Sequence, residues 1–380
     1  MFLQIHTLVS YPPSLLNRDD AGLAKRIPFG DAVRLRISSQ CLKRHWRDEF
    51  SKYLPDIPDG YRSRSFFTRE IKPRLCAEGM EENRAQALVK ALAEKVVKGG
   101  VQKDAELSQP ILFGKREADY FVEILKQISS EAKTTEAAVK ALNERLSTAE
   151  EKKNLAAMSK SASGLTGALF GRFVTSDVLS VVDSCVQVAH AWTIHAADTE
   201  MDYFTVVDDL RADDEHGAAH ANQSELGAGV YYGYVNIDIP LLVSNLTGTP
   251  AKDWREQDSA LPRQVITKLI EIISRKSPGA KLGSTAPFSL PGTILLEAGD
   301  EFTSSLCNAF LQALPKEQHL IEQANVQMGE HIRRIEGMYG PTAAVRAICS
   351  THSIETFSPL KAQTLPSAIE TMLDFIWKTP

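Results

Sequence analysis

Residues 2–9 alternate, with Phe2, Gln4, His6 and Leu8 on one side and Leu3, Ile5, Thr7 and Val9 on the other, the period of a β-strand. Tyr11-Pro12-Pro13 is expected to end it, because proline offers no amide donor and restricts the residue before it. A polar stretch, NRDDAGLAKR, leads to a second predicted strand, VRLRI (33–37), in which Arg34 and Arg36 share a face. Ser38 or Ser39 can cap the helix expected from Gln40 to Lys52. There Leu42, Trp46 and Phe50 recur every fourth residue as a core stripe, and Lys43 and Arg47 form a separate basic one. From about Pro73 to Leu179 the apolar period becomes helical, predicting helices over 77–99, 115–132, 135–147 and 151–160. Aromatic and β-branched runs at 202–207 and 229–237 predict two strands joined by a long acidic loop, a protruding hairpin. A helix at 263–275, a strand at 293–297 and helices near 300–313, 316–335 and 366–378 follow. The pattern is α+β: a mixed domain carrying a helical insertion and a hairpin.

Composition adds boundaries rather than detail. The 380 residues, 43% hydrophobic and 24% charged, suit two domains or one with a large insertion. Five scattered cysteines without a CxxC pair exclude a zinc ribbon and argue against a secreted disulfide scaffold. Apolar runs fall short of the roughly 18–20 residues of a membrane helix, and MFLQIHTLVS lacks a basic signal-peptide start, so a cytoplasmic protein is expected.

Charge changes the picture more. The net charge of −5 hides a segregation: Asn17–Arg47 holds eight basic residues against three acids, whereas Thr193–Leu226 holds nine acids against Arg211 alone. A basic strand running into a serine-capped helix start gathers unpaired amides and cations where an anion would bind, although a solvated basic surface has the same composition. SGLTGALFGRF (163–173) lacks P-loop spacing; its glycines followed by Arg172 and Phe173 suit a nucleotide wedge, or a helix–loop junction with Phe173 in the core. His216 and His220 beside acids lack the HExxH order and read as a loop tip, and His190 and His195 read as structural. No nucleophile elbow, triad order or dinucleotide fingerprint occurs, so no enzyme, metal or cofactor is expected.

The stretch LNRDDAGLAKRIPFGDAVRLRISSQCLKRHWR resembles the signature of the CasC family, the repeated backbone subunits of type I-E Cascade within the RAMP superfamily. It departs at Cys41, where serine is usual, and at Asp31, where a second glycine is usual. Gly171-Arg172 with Thr175-Ser176, Ala189-His190-Ala191, Phe204-Thr205-Val206-Val207-Asp208-Asp209 and Pro278-Gly279-Ala280-Lys281 resemble further family segments in the same order. The resemblance implies a right-hand architecture: a ferredoxin-like, RRM-related palm (1–60 and 239–380, with C-terminal helices), helical fingers (61–185) and a β-hairpin thumb (186–238). It also implies a non-catalytic subunit, several copies of which bind one CRISPR RNA (crRNA) head to tail, kink it at intervals and present its bases to target DNA. Partners would be crRNA, target DNA through the hybrid, other copies of the chain and other Cascade subunits, with no membrane. Carried over by position, Lys25, Lys43 and Arg47 would clamp phosphates and Phe173 would wedge beside the RNA. Arg34, Arg36, Ser38, Gln40, Arg44, Arg172 and Lys281 complete the expected RNA contacts. A competing reading is a type III-like subunit that cleaves target RNA with a metal and a loop aspartate, the candidates being Asp31, Asp208 and Asp209.

Overall fold

The computed structural model describes residues 1–151, 163–176, 178–179, 181–206, 220–316 and 319–378. The chain divides into two compact units, one of Met1–Glu49, Val188–Ile237 and Val265–Pro380, the other of Phe50–Gln187 and Asp238–Gln264. The second unit holds residues 61–185 and a later segment with its own helix, Ile239–Thr247.

The first unit is built on a mixed-order antiparallel sheet. Its strands are β1 (Phe2–Ser14), β2 (Arg26–Phe29), β3 (Ala32–Ile37) and, after β4 (Gly60–Ser63) and β5 (Ile111–Gly114) of the second unit and β6 (Val186–Val188) where the chain passes between the units, β7 (Ala191–Thr193). β8 (Thr199–Val206), β9 (His220–Asp238), β10 (Thr293–Gly299) and β11 (Val345–Ser350) complete it. The main path runs β11-β10-β1-β9-β7-β3-β2, with β8 paired to the far part of β9. β1 lies antiparallel to β10 from Phe2↔Gly299 to Leu8↔Thr293. It continues to Ser14 through Pro12 and Pro13, beyond the expected stop; there the ladder with β10 has ended, so the missing proline donors break no bond to that neighbour.

Strand alternation sends neighbouring residues into different cores. Leu8, Trp192 and Tyr232 join Met328 and Ile332 of the helix Leu320–Tyr339 on one face. Val9, Ala191 and Tyr231 join Leu35 and Ile37 on the other, against Cys41 and Leu42 of helix α1 (Ser39–Arg47). β10 is buried along its whole length, as a central strand covered on both faces must be. It carries Glu297, whose carboxylate meets buried His6 at 2.9 Å and Arg346 at 2.5 Å. Burial alone would raise Glu297, but those two partners outweigh it and hold the carboxyl below its ordinary value.

The second unit pairs β4 (Gly60–Ser63) with β5 (Ile111–Gly114) and packs three helices around an aromatic centre. These are α2 (Glu82–Val96), α3 (Lys115–Glu131) and α4 (Thr135–Arg145), close to the helices predicted from the 3.6 period. Phe66 stacks on Phe113 with centroids 4.0 Å apart, and Leu88, Leu92, Phe121 and Leu125 close around them. The fourth predicted helix, 151–160, lies almost wholly outside the described residues. No helix among the described residues is long and apolar enough to cross a membrane.

Candidate nucleic-acid interface

The basic segment of the first unit is locked before any ligand arrives. Asn17 accepts the Ser38 amide through Oδ1 at 2.9 Å and the Lys25 amide through its own carbonyl at 2.9 Å. The Lys25 carbonyl in turn accepts the Arg36 amide at 2.8 Å. Within the loop, Asp19 closes a turn by accepting the Leu23 amide at 2.9 Å. The polar LNRDD sequence is therefore a brace that sets Lys25 beside β3 and the start of α1.

Ser38 is the cap of α1, its Oγ accepting the Cys41 amide at 3.3 Å. On α1, Gln40 and Arg44 are exposed, and Lys43 and Arg47, one turn apart, are half-buried at the edge of the face that buries Trp46. Because β7 is in register with β3 at Arg36↔Trp192 and Ile37↔Ala191, the next residue out, His190, meets the helix start. Its Nδ1 accepts the Ser39 amide at 3.1 Å and lies 3.4 Å from an Arg36 Nη. Burial, then the charges of Arg36, Lys25 and Lys43, lower the His190 pKa from its ordinary value. Those three cations therefore share one small neighbourhood, which is the geometry a polyanion needs. Lys281 lies elsewhere on the unit: the Ala280 amide is bonded to Leu15 O at 2.9 Å, and the lysine Nζ sits 5.0 Å from the ring centre of Phe204 on β8.

Two of the expected contacts are withdrawn. Arg34 is fully buried, donating to Phe310 O at 3.0 Å and Thr193 O at 3.3 Å, with its guanidinium over Trp192. The face it shares with Arg36 along β3 is core at one position and rim at the next, so Arg34 cannot reach a phosphate. Arg172 is 3% exposed in the second unit and paired with buried Glu117 at 2.7 Å. It is a structural ion pair that anchors the turn after the helix α5 (Gly164–Phe170). The next residue goes the opposite way. Gly171 takes φ +75°, where a Cβ would stand 2.7 Å from Val182 O, and Arg172 is bridged to Val182 on both sides. Phe173, held by that turn, is 82% exposed, so the alternative that placed it in the core is set aside.

Other readings are corrected or relocated. Residues 220–228, read as part of a loop, are strand: β9 pairs with β8 from Thr199↔Gly227 to Val206↔His220. The acids around it are partly spent. Glu225 is buried against Arg26 and accepts the Ala24 amide at 2.7 Å, and Asp198 pairs with Lys316 at 2.6 Å. The remaining acidic tip, Asp208, Asp209, Asp213 and Asp214 with His216, lies outside the described residues. Asp31 ties the β2–β3 turn to a distant segment, its Oδ1 accepting the Ala313 amide at 2.8 Å and facing Arg34. Among the described residues, no group of three or more His, Cys, Asp and Glu side chains could hold a metal. Sequence reasoning missed Asn17 as the brace and His190 as the contact between β7 and α1; the Ser39–His190 contact spans 151 residues and Asn17–Ser38 spans 21, so no pattern along one element marks either.

The first unit is thus an α+β unit that carries a braced basic rim. The chain belongs to the CT1975-like protein family, whose profile matches residues 3–376. Its fold is that of a chain from a CRISPR RNA-guided surveillance complex in a pre-nicking state, with TM-score 0.77, 23% identity and coverage of 98% of this chain and 99% of that one. A chain from a second CRISPR RNA-guided surveillance complex aligns with TM-score 0.61 and 20% identity over 99% of this chain and 100% of that one. Comparison with curated proteins finds no match.

Proposed function

We propose that this protein is a non-catalytic crRNA-binding backbone subunit of a type I-E Cascade, several copies of which assemble head to tail along one crRNA. The observation that carries the reading is the convergence of Lys25, Arg36 and Lys43 on the capped start of α1, beside His190. Their cations suit consecutive phosphates and form no base-reading set, as expected where pairing rather than protein reads the sequence. In this reading the first unit is the palm, the β8–β9 hairpin its thumb, and the second unit the fingers, with Phe173 as the wedge. The neighbours in fold, both from CRISPR RNA-guided surveillance complexes, support it. Target DNA would be met through the crRNA hybrid, and the protein would work in the cytoplasm.

The test is co-production of the chain with a repeat–spacer RNA. The expected result is RNA co-purifying in a multi-copy particle whose affinity falls steeply with salt. A monomer free of RNA would overturn the proposal. Incubating the particle with complementary RNA and magnesium addresses the cleaving alternative; a scaffold leaves that RNA intact. Of the aspartates named for cleavage, Asp31 is already committed to the Ala313 amide and Arg34.

A further inference from the structure

We propose that His190 is itself an RNA-backbone ligand, donating its Nε2–H to a phosphate oxygen held among Lys25, Arg36 and Lys43. The inference rests on the RNA-binding reading above and assigns a contact that neither charge nor motif reveals. The ring's other nitrogen settles the chemistry. Nδ1 faces two donors, the Ser39 amide at 3.1 Å and an Arg36 Nη at 3.4 Å, and an arginine can only donate. Nδ1 must therefore carry a lone pair, and in a neutral imidazole the proton then resides on Nε2. Burial and three neighbouring cations disfavour a second proton, and the Ser39 amide already occupies the Nδ1 lone pair that a second proton would need.

The consequence is a donor with a fixed direction in a cationic rim. Both Nδ1 contacts are to groups on the rigid end of β3 and the first residue of α1, so the imidazole plane is set by the same elements that set the cations. The ring is only partly buried, and its Nε2 has no hydrogen-bond partner among the described residues. The cations supply long-range attraction, and the imidazole supplies one short, oriented hydrogen bond of the kind that fixes backbone register.

Two variants separate this role from a merely structural one. His190→Asn keeps an acceptor close to the position of Nδ1 but has no donor at the position of Nε2; His190→Ala has neither. For a single-stranded RNA measured by fluorescence anisotropy, both should lose roughly ten- to 150-fold in affinity, the size of one hydrogen bond to a charged group. The slope of log Kd against log salt should remain that of the wild type, because no charge is removed. Asn binding RNA like the wild type would overturn the proposal and leave His190 as an anchor for α1. A flattened slope would also overturn it, since that is the signature of displaced lysines. On the unaltered chain, the His190 Nε2 resonance should move on adding RNA, and no movement refutes the contact without any variant. Absence of RNA binding by the wild type would instead defeat the proposed function itself.

Discussion

Phe173→Ala separates a stability role from a binding role cleanly, because the structure assigns nearly all of the ring to solvent. With the residue 82% exposed, less than a fifth of an aromatic surface of about 200 Å² is removed from water. At ~25 cal/mol per Å² that share is worth about 1 kcal/mol or less, against ~3–5 kcal/mol for truncating a core phenylalanine. Thermal melting without RNA should therefore shift by only a few degrees. Leu169→Ala, four residues earlier and fully buried on α5, is the comparison and should lower the midpoint far more. If Phe173 stacks on a base, the same variant should weaken RNA binding by ~1–3 kcal/mol per copy, roughly five- to 150-fold. Anisotropy on a one-repeat RNA measures that loss without the multiplication that a multi-copy filament introduces. A large fall in melting temperature would refute the exposed turn, and unchanged affinity in a stable variant would refute the wedge.

The double variant Lys43→Ala/Arg47→Ala should flatten the salt dependence of RNA binding by roughly one to two units, measured as log Kd against log salt. Arg172→Ala should instead cost ~3–5 kcal/mol of stability, read by denaturant unfolding, because the buried Glu117 carboxyl would lose its guanidinium partner. The folded pKa of Glu297 is lowered, so its ion pairs add stability above the unfolded carboxyl value of about 4.3, and that stability is lost as pH falls through the folded value. Glu297→Gln should accordingly flatten the acid limb of a melting-temperature profile below roughly pH 5; an unaltered limb would show that other carboxylates dominate acid unfolding.

Local pattern revealed those features whose cause is local. The alternation of residues 2–9, the serine cap at Ser38 and the 3.6 period over 115–131 each contain their own explanation within a few residues, and each became the expected element. Arg34 illustrates the other case. Strand alternation correctly places it with Arg36, yet only the arrival of the Phe310 and Thr193 carbonyls, far away in sequence, makes its position an interior one. Phe173 errs in the opposite direction: hydrophobicity argues for burial, but a pinned turn overrides the preference. Residues 220–228 looked like loop because Ala, Ser and Gly carry little strand propensity, and it was pairing with β8 that extended the hairpin. Within the candidate site the cations were legible from charge; the brace from Asn17 and the imidazole between β7 and α1 were not, since neither is a pattern along one element.

The turn at Gly30 bears on when the protein can first hold RNA. Gly30 has φ +61°, and a side-chain carbon there would lie 1.7 Å from Leu311 O, so the two backbones are in direct apposition. Asp31 reaches Ala313 across 282 residues, Arg34 reaches Phe310 across 276, and the Ser39 amide reaches His190 across 151. A grip encoded in the first fifty residues is thus assembled by segments translated much later. Contacts of such long sequence separation form late and slowly. On the ribosome, a nascent chain would display its arginines and lysines long before they were organised, and only after residue 313 had emerged could those contacts form. Under the proposed function, capture of crRNA would therefore wait on these later segments, and half-made subunits would not compete with finished ones for the same guide.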